Sequence, residues 1–284
     1  MGRGKEPPVI LVFGGFDPTG GAGILMDAKA VHASGGYAVA VPSCLAIQTT
    51  ASFDRIVSLP GTALERALLC AAESFALRAV KIGMVGTRAA AESLLRFLRK
   101  HRDIPVVMDP VLRSSSGAPL LAANALPAYR KLLGRAAVLT PNLPEIEKIL
   151  DRKVARFGDA VAAARDLSLA SGSSVLLKGG HFPWPGKRGL DILLEGGTVT
   201  LLPPGRTFPR RNPHGTGCAL AAAVAARLAA GDSLRKAVGN AKALLERHVA
   251  AGFPSAEGRW TLYAPGGADK SLRRRTYAGS TGPG

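Results

Sequence analysis

The residues best suited to chemistry lie in one short segment, 212–218, which reads NPHGTGC. Pro213 ends the preceding element because it cannot donate a ladder hydrogen bond. The small residues 215–217 then open a helix whose first backbone N–H groups have no partner within the helix, so they can bind an anion. Cys218 falls in the first turn, where a thiol tends to have a lowered pKa. The segment predicts either a phosphate site with a nucleophile or base beside it, or a packed helix in which Cys218 is a small apolar group.

Two familiar phosphate-binding motifs are excluded. Gly15 and Gly20 have the glycine spacing of a Walker loop, but Gly21 follows where that motif needs lysine. The dinucleotide-binding pattern of three glycines fails at Leu220 and again at Met26. Any phosphate must therefore be held in another way.

The chain has three cysteines, Cys44, Cys70 and Cys218. An odd number without a C-x-x-C pair argues against a disulfide framework or a zinc knuckle. Cys44 and Cys70 fall in a predicted strand and in the middle of a predicted helix, so neither has a helix end beside it. We therefore expect iodoacetamide to modify Cys218 first.

The net charge of +17 indicates either nucleic-acid binding or an anionic small substrate. Aromatic residues make up only 5% of the chain, and no aromatic stripe interleaves with the basic residues, so a base-stacking surface is not expected. Arginines recur singly on predicted helices, as at Arg96 and Arg99, which is typical of a solvated face. An anionic substrate is favoured, and nucleic-acid binding stays as the alternative from a different functional class.

The length of 284 residues fits one large α/β domain or two small ones. No repeat or linker interrupts the chain before its last twenty residues, so we expect a single domain over 1–264. Residues 265–284 are glycine-rich and basic, and we expect them to form a disordered tail. No apolar run approaches the roughly 18 residues of a membrane span, and the run 9–13 is too short for a signal peptide core. The expected location is the cytoplasm.

Short apolar runs alternate with stretches of helical periodicity along the chain. The predicted strands are 9–13, 37–47, 79–82, 105–108, 137–140, 175–178 and a hairpin of 190–195 with 198–202. The predicted helices are 20–34, 62–77, 87–101, 120–133, one from 144, 159–171, one opened by 215–217, and 233–251. Pro42 predicts an edge position or a bulge for its strand. This alternation predicts a mostly parallel sheet with helices on both faces.

Polar residues and glycines cluster where six of the predicted strands end. They are residues 14–15, Gln48, 83–84, 109–110, 140–142 and 178–180. Ligands of open parallel sheets bind beyond the carboxyl ends of the strands. The sequence therefore predicts a binding site at that edge.

Six motifs in this order carry a family resemblance: GGFDPTGGAG at 14–23, KIGM at 81–84, DPV at 109–111, TPNLPE at 140–145, LKGGH at 177–181 and HGTGC at 214–218. Together they resemble the hydroxymethylpyrimidine/phosphomethylpyrimidine kinases of thiamine biosynthesis, which have a ribokinase-like fold. The resemblance covers about residues 9 to 250. It implies an ATP-dependent phosphotransferase that uses Mg²⁺, takes a small pyrimidine as substrate and acts as a homodimer.

The resemblance also implies roles for particular residues. Gly215, Thr216 and Gly217 match the anion hole that holds the phosphoryl group during transfer. Cys218 matches the catalytic base, where many ribokinase-like sugar kinases carry Asp. A loose transition state depends more on positioning than on a strong base, so a thiol can serve there.

For the pyrimidine, the resemblance implies a hydrogen bond from Gln48 and a pocket next to Asp27. The matching wall residues of that pocket are Gly15, Ala22, Met84 and Val111. Two of these six have an alternative explanation: Asp27 could be a surface residue of its helix, and Met84 a core residue.

For the nucleotide, the matching residues are Asn142, Glu145, Asp109 and Lys178. Glu145 and Asp109 are the candidates nearest to Mg²⁺. Glu145 also begins a predicted helix, where the helix dipole favours an acidic residue in any case.

The chain departs from the family pattern in the pyrimidine region. Phe16 stands where Ser or Thr is usual, and Met26 stands where a small residue is usual. Both could narrow the pocket. Some bacterial pyridoxal kinases share the Gly-Thr-Gly-Cys segment, so vitamin B6 is the alternative substrate.

Overall fold

The computed structural model describes residues 6–114, 117–180, 182–206, 208, 211 and 213–264. The predicted basic tail, 265–284, lies outside the described residues. So do His181 and Asn212, each of which belongs to one of the segments singled out in the sequence.

A sheet of nine strands organises the described chain. Its strands are β1 (Val9–Phe16), β2 (Tyr37–Gln48), β3 (Phe53–Ser58), β4 (Leu77–Ile82), β5 (Val106–Met108), β6 (Val138–Leu139), β7 (Ser174–Leu177), β8 (Asp191–Glu195) and β9 (Thr198–Leu202). Their order is β3-β2-β1-β4-β5-β6-β7-β8-β9. The six central strands, β2, β1, β4, β5, β6 and β7, run parallel. The outer pairs β2–β3, β7–β8 and β8–β9 are antiparallel. The predicted mostly parallel sheet is confirmed.

Helices cover both faces of this sheet. They are α1 (Gly23–Ala33), α2 (Gly61–Ser74), α3 (Arg88–Lys100), α4 (Leu126–Leu133), α5 (Leu143–Leu150), α6 (Phe157–Ser171), α7 (Thr216–Ala229) and α8 (Leu234–Ala251). Two short strands, β10 (Phe253–Pro254) and β11 (Trp260–Thr261), form a separate antiparallel hairpin after α8. None of these helices combines the length and the hydropathy that a membrane span requires.

The central strand β1 shows how the two faces are built. Successive side chains of a strand point to opposite faces. Ile10 and Val12 therefore pack against α1, α7 and α8, whereas Leu11 and Phe13 pack against α2 to α6. All four side chains are fully buried. This double burial explains why the strand reads as a continuous apolar run.

β2 is not an edge strand, because β3 pairs with its residues 44–48, although this pairing does not extend to Pro42. The alternative prediction of a bulge is confirmed: Gly14 pairs with Pro42, and the next residue of β1 pairs with Cys44. The edge strand β3 was not predicted. Its side chains, including Asp54 and Arg55, are mostly exposed, so it lacks the apolar alternation that marks a strand.

Two predicted helices have different bounds. The predicted helix 62–77 ends at Ser74, because Phe75 is already extended (φ −141°, ψ 141°) and leads into β4. The predicted helix 120–133 begins as α4 only at Leu126, after a 3₁₀ turn. Proline in the first turn of α4 suits this later start, since its missing N–H would have no partner there anyway.

Candidate active site

A cavity of about 480 Å³ lies at the carboxyl ends of β1, β2, β4, β5, β6 and β7. The residues predicted for the site all line it: Gly15, Ala22, Asp27, Gln48, Met84, Asp109, Val111, Asn142, Glu145, Lys178, Gly215, Thr216, Gly217 and Cys218. The structure thus brings the predicted residues together, as expected for an open parallel sheet. Their separate roles stay predictions.

The start of α7 forms one wall of the cavity. Its N-cap residue, Gly215, has a φ of +82°, and a Cβ atom there would lie 1.9 Å from the Gly21 carbonyl oxygen. Only glycine fits such a position. Gly215 has no side chain that could cap the helix, and no cap from another described residue is present, so the first backbone N–H groups of α7 are left to the cavity. This end of α7 can bind phosphate oxygens.

Asp17 holds the glycine-rich loop that faces α7. Its carboxylate accepts hydrogen bonds from the Thr19 backbone N–H and the Ala22 backbone N–H, both at 2.9 Å. The loop then reaches Gly23, whose φ of +59° brings its Cα against the Gly15 carbonyl. No role is predicted for Asp17 from the sequence, although Asp-Pro-Thr is a typical turn-forming sequence.

A buried ion pair forms part of the cavity floor. Lys81 Nζ donates to both carboxylate oxygens of Asp27, at 2.7 and 2.8 Å, and both side chains are fully buried. Val80 and Ile82, the neighbours of Lys81 on β4, face the side of the sheet that α2 to α6 cover. Lys81 therefore points to the opposite side, toward α1 and α7. Asp27 is therefore not a surface residue of its helix. The sequence assigns no role to Lys81, although a lysine inside an apolar strand indicates a buried charge.

The charges of this pair change the pKa values of both groups. Burial raises the pKa of Asp27 to about 6, although Lys81 acts in the opposite direction. Burial lowers the pKa of Lys81, but the neighbouring charges, above all that of Asp27, outweigh it and hold this pKa above its usual value. At neutral pH both groups are charged.

A second cluster of charged side chains lies directly against the start of α7. Lys178 Nζ is 2.6 Å from Asp109 Oδ1 and 3.9 Å from Glu145 Oε2. Thr140 Oγ1 donates to the same Asp109 oxygen at 3.1 Å. A Cβ atom on Gly217 would lie 3.1 Å from that Nζ and 3.2 Å from Asp109 Oδ2. Phosphate groups bound at α7 would therefore meet this cluster.

Asn142 and Glu145 form a capping box at the start of α5. The Glu145 N–H donates to Asn142 Oδ1 at 2.9 Å, and the Asn142 N–H donates to Glu145 Oε2 at 2.7 Å. Burial raises the pKa of Glu145 to about 7, against the opposing charge of Lys178. The structural explanation of Glu145 as a helix-start residue therefore fits, and it leaves the nucleotide role open.

One end of the cavity is formed where β2 ends, at Gln48. Gly15 lets the Met84 side chain lie close to the backbone of β1, since a Cβ atom on Gly15 would lie 3.2 Å from Met84 Sδ. Phe16 and Met26 pack into the core with α1, α7 and α8 and are not among the described residues that line the cavity. The narrowing expected from these two side chains is therefore not found.

The β10–β11 hairpin closes this end from the far side of the chain. The Glu257 carboxylate accepts hydrogen bonds from Thr49 Oγ1 at 2.8 Å, Thr50 Oγ1 at 2.5 Å and the Ala51 N–H at 3.1 Å. Thr49, Thr50, Ala51 and Arg259 also line the cavity. The sequence predicts neither the hairpin nor these contacts, because its strands have only two residues each.

A family model described as phosphomethylpyrimidine kinase matches residues 17–262. The chain is 36% identical over 251 residues to the hydroxymethylpyrimidine/phosphomethylpyrimidine kinase of Rhizobium meliloti, covering 86% of this chain and 91% of that one. The chain belongs to the phosphomethylpyrimidine kinase family. The predicted family resemblance is confirmed.

Some relatives of this phosphomethylpyrimidine kinase family member are much longer. It is 35% identical over 239 residues to the thiamine biosynthesis multifunctional protein ThiED of Corynebacterium glutamicum, covering 81% of this chain but 30% of that protein. The chain thus spans about a third of the length of the first curated relatives it matches.

Solved structures agree with the ribokinase-like fold expected of a phosphomethylpyrimidine kinase. The phosphomethylpyrimidine kinase of Clostridium difficile superposes with a TM-score of 0.74 at 29% identity, covering 84% of this chain and 98% of that one. The pyridoxal kinase of Staphylococcus aureus in complex with AMP-PCP and pyridoxal has a TM-score of 0.80 at 25% identity, with 92% and 94% covered. The predicted fold is confirmed.

The lowered thiol pKa predicted for Cys218 in this family member is wrong. Burial raises the pKa of Cys218 to about 11. The positive charge of Lys81 lowers it, the carboxylates of Asp27 and Asp109 raise it, and a hydrogen bond from the Gly23 backbone lowers it. The helix end is present as predicted, but desolvation outweighs it. At neutral pH Cys218 is a thiol.

Iodoacetamide should consequently modify Cys70 first. Cys70 is exposed on α2, whereas Cys218 and the buried Cys44 both have raised pKa values, and the thiolate is the reactive form. Peptide mass spectrometry over a time course near neutral pH measures the order. A Cys70→Ser variant is the control and should be alkylated slowly at its other two sites. Modification of Cys218 before Cys70, with loss of activity in step, would contradict the raised pKa.

Proposed function

We propose that this protein catalyses the ATP-dependent phosphorylation of 4-amino-5-hydroxymethyl-2-methylpyrimidine and of its monophosphate, as its relatives' names state for them. The observation that carries the proposal is one cavity with two chemically different ends. The start of α7, Cys218 and Lys178 surround an anion-binding end. Gln48 and Met84 surround an end that fits a flat polar ring.

The transfer step follows from this arrangement. The hydroxyl oxygen of the alcohol attacks the γ-phosphorus of ATP, the bond to the β–γ bridging oxygen breaks, and ADP leaves. The thiolate of Cys218, which is the minor form at neutral pH because its pKa is raised, accepts the hydroxyl proton. The N–H groups at the start of α7 stabilise the charge on the phosphoryl oxygens in flight. Because the transition state is loose, this positioning matters more than the basicity of the thiol.

Asp109 and Glu145 are the residues that would hold Mg²⁺. In the described part of the chain no three His, Cys, Asp or Glu side chains form a metal site. The two carboxylates of Asp109 and Glu145 suit Mg²⁺, which takes one or two carboxylates together with substrate phosphates and water. When bound, the ion neutralises phosphate charge. Lys178, ion-paired with Asp109 between the two carboxylates, contributes positive charge from the chain itself.

We also propose a single domain over 1–264 that acts as a cytoplasmic homodimer. Exposed apolar side chains on β2 and β3, including Tyr37, Leu45 and Val57, support a covered outer face. Sedimentation velocity would separate a dimer from a monomer. The alternative function is specific nucleic-acid binding by the body of the protein, which would survive removal of residues 265–284. We expect instead weak, salt-sensitive binding that mostly disappears with those residues.

A substrate panel tests the function. Purified protein with Mg-ATP is assayed against the pyrimidine alcohol, its monophosphate and pyridoxal. Pyridoxal is the second candidate because of the structural similarity to the S. aureus pyridoxal kinase. We expect the highest kcat/KM with the pyrimidines. Faster turnover of pyridoxal would favour the second candidate.

Gln48→Leu should raise the KM for the pyrimidine much more than the KM for ATP. An amide can donate to and accept from an aminopyrimidine edge, and a site built this way penalises loss of either bond by roughly 10-fold or more. Steady-state kinetics with each substrate varied in turn measures the effect. Asn124→Leu, which replaces an exposed amide outside the cavity, is the matched control. Equal effects on both KM values would mean that Gln48 is structural.

A further inference from the structure

Arg259 is a cavity-lining cation without a partner among the described residues. Four lysines and arginines line the cavity: Lys81, Arg113, Lys178 and Arg259. Lys81 and Lys178 are each ion-paired with an aspartate. The Arg113 guanidinium donates to the Gly117 carbonyl at 2.7 Å. In the described residues Arg259 has neither an ion pair nor a side-chain hydrogen bond, so its charge is free to meet a ligand.

The β10–β11 hairpin fixes the backbone that carries Arg259. Glu257, two residues before Arg259, is held on the loop that follows Gln48. The Ser255 N–H donates to the Arg259 carbonyl at 2.8 Å, which closes the turn. The next residue, Trp260, donates from Nε1 to the Val249 carbonyl of α8 at 3.0 Å. The backbone at Arg259 is thus anchored on both sides, at the Gln48 end of the cavity, which the Arg259 residue lines.

The Arg259 charge also acts electrostatically on His214, the residue before the N-cap of α7. Burial lowers the pKa of His214, Asp17 opposes this, and the positive charge of Arg259 adds to the lowering. Arg259, the loop after Gln48 and the anion-binding helix start thus line one and the same cavity.

The position of Arg259 suits the monophosphate, which is the second of the two proposed acceptor substrates. The alcohol is uncharged where it reacts, whereas its monophosphate carries about −1.5 to −2 charges at pH 7. The start of α7 and Lys178 already face the phosphates of ATP. A second phosphate beside them needs a further cation, and a guanidinium binds phosphate oxygens in a bidentate manner.

We propose that Arg259 is a specificity-determining residue that binds the phosphate of the phosphomonoester acceptor and so favours the second phosphorylation over the first. The inference rests on the proposed function. In that step a phosphate oxygen of the acceptor attacks the γ-phosphorus, the bond to the β–γ bridging oxygen breaks, and the products are a diphosphate and ADP. The acceptor phosphate is deprotonated, so Arg259 offsets charge repulsion.

The test compares the two acceptors in one set of variants. For Arg259→Ala we expect kcat/KM for the monophosphate to fall about 10- to 100-fold, the usual size of a lost charged hydrogen bond. For the alcohol we expect a fall of no more than about threefold, as for a surface substitution. Arg259→Lys should recover part of the monophosphate activity. Arg235→Ala, an exposed arginine of α8 outside the cavity, is the matched control.

The outcomes separate the inference from the proposed function. An equal fall on both acceptors would make Arg259 a structural part of the hairpin and overturn the inference. So would unchanged monophosphate activity in Arg259→Ala, or wild-type protein that phosphorylates only the alcohol. Wild-type protein inactive on both pyrimidines would overturn the proposed function and the inference with it. Selective loss with the monophosphate supports both.

Discussion

Cys218→Ala should lower kcat by about 10²–10⁴-fold, which is the usual contribution of general-base assistance. The KM for ATP should stay near its wild-type value, because the start of α7 and the cluster around Lys178 remain intact. Steady-state kinetics with the pyrimidine alcohol measures both. Cys70→Ala removes an exposed thiol and is the matched control. If Cys218→Ala kept most of its activity, the helix start alone would carry the reaction.

The pH dependence gives an independent readout of Cys218. A base acts in its deprotonated form, and the pKa of this thiol is raised to about 11. In wild-type protein kcat/KM should therefore keep rising from neutral pH into the alkaline range, since that profile reports the groups of the free enzyme. The rise should disappear in Cys218→Ala. A wild-type profile that levels off near neutral pH would contradict the raised pKa.

Lys81→Met should lower the free energy of unfolding by about 3–5 kcal/mol, because it leaves the Asp27 carboxylate buried and unpaired. Urea denaturation followed by circular dichroism measures the loss. Residual activity should also fall, since Lys81 acts electrostatically on Cys218, and its removal should raise that thiol pKa further. The alkaline rise of the pH profile should then shift to higher pH.

Two further variants show whether the loss comes from the broken pair. The double variant Lys81→Met/Asp27→Leu removes both charges and should recover much of the stability, since a buried pair can be replaced by apolar residues. Arg88→Met breaks an exposed pair with Glu92 on α3 and should change stability little. A double variant as unstable as the single one would mean that packing, not the unpaired charge, causes the loss.

The sequence predicts the sheet and the position of the site because both depend on local signals. Apolar runs such as 9–13 are buried on two faces, and polar residues follow directly at the strand ends. Glycines at positions such as Gly215 have no substitute where φ is positive and another backbone lies close. The predicted site residues consequently meet at one cavity.

Contacts between distant residues could not be predicted in this way. Lys81 and Asp27 are 54 residues apart, and the spacing in the sequence does not state which carboxylate a buried lysine meets. The raised pKa of Cys218 depends on burial by several segments, whereas the prediction used only its own helix. The edge strand β3 and the β10–β11 hairpin are too short or too exposed to leave a periodic pattern.

The hairpin also has a consequence for protein synthesis. Thr49 and Glu257 are 208 residues apart, yet their hydrogen bond helps to close the end of the cavity at Gln48. At typical translation rates the ribosome needs roughly 10–40 s to make that stretch of chain. Throughout this interval the loop 49–51 lacks this partner, and the Gln48 end of the cavity is completed only after the start of α7 has been made. A nascent chain should therefore gain affinity for nucleotide before it gains affinity for the pyrimidine.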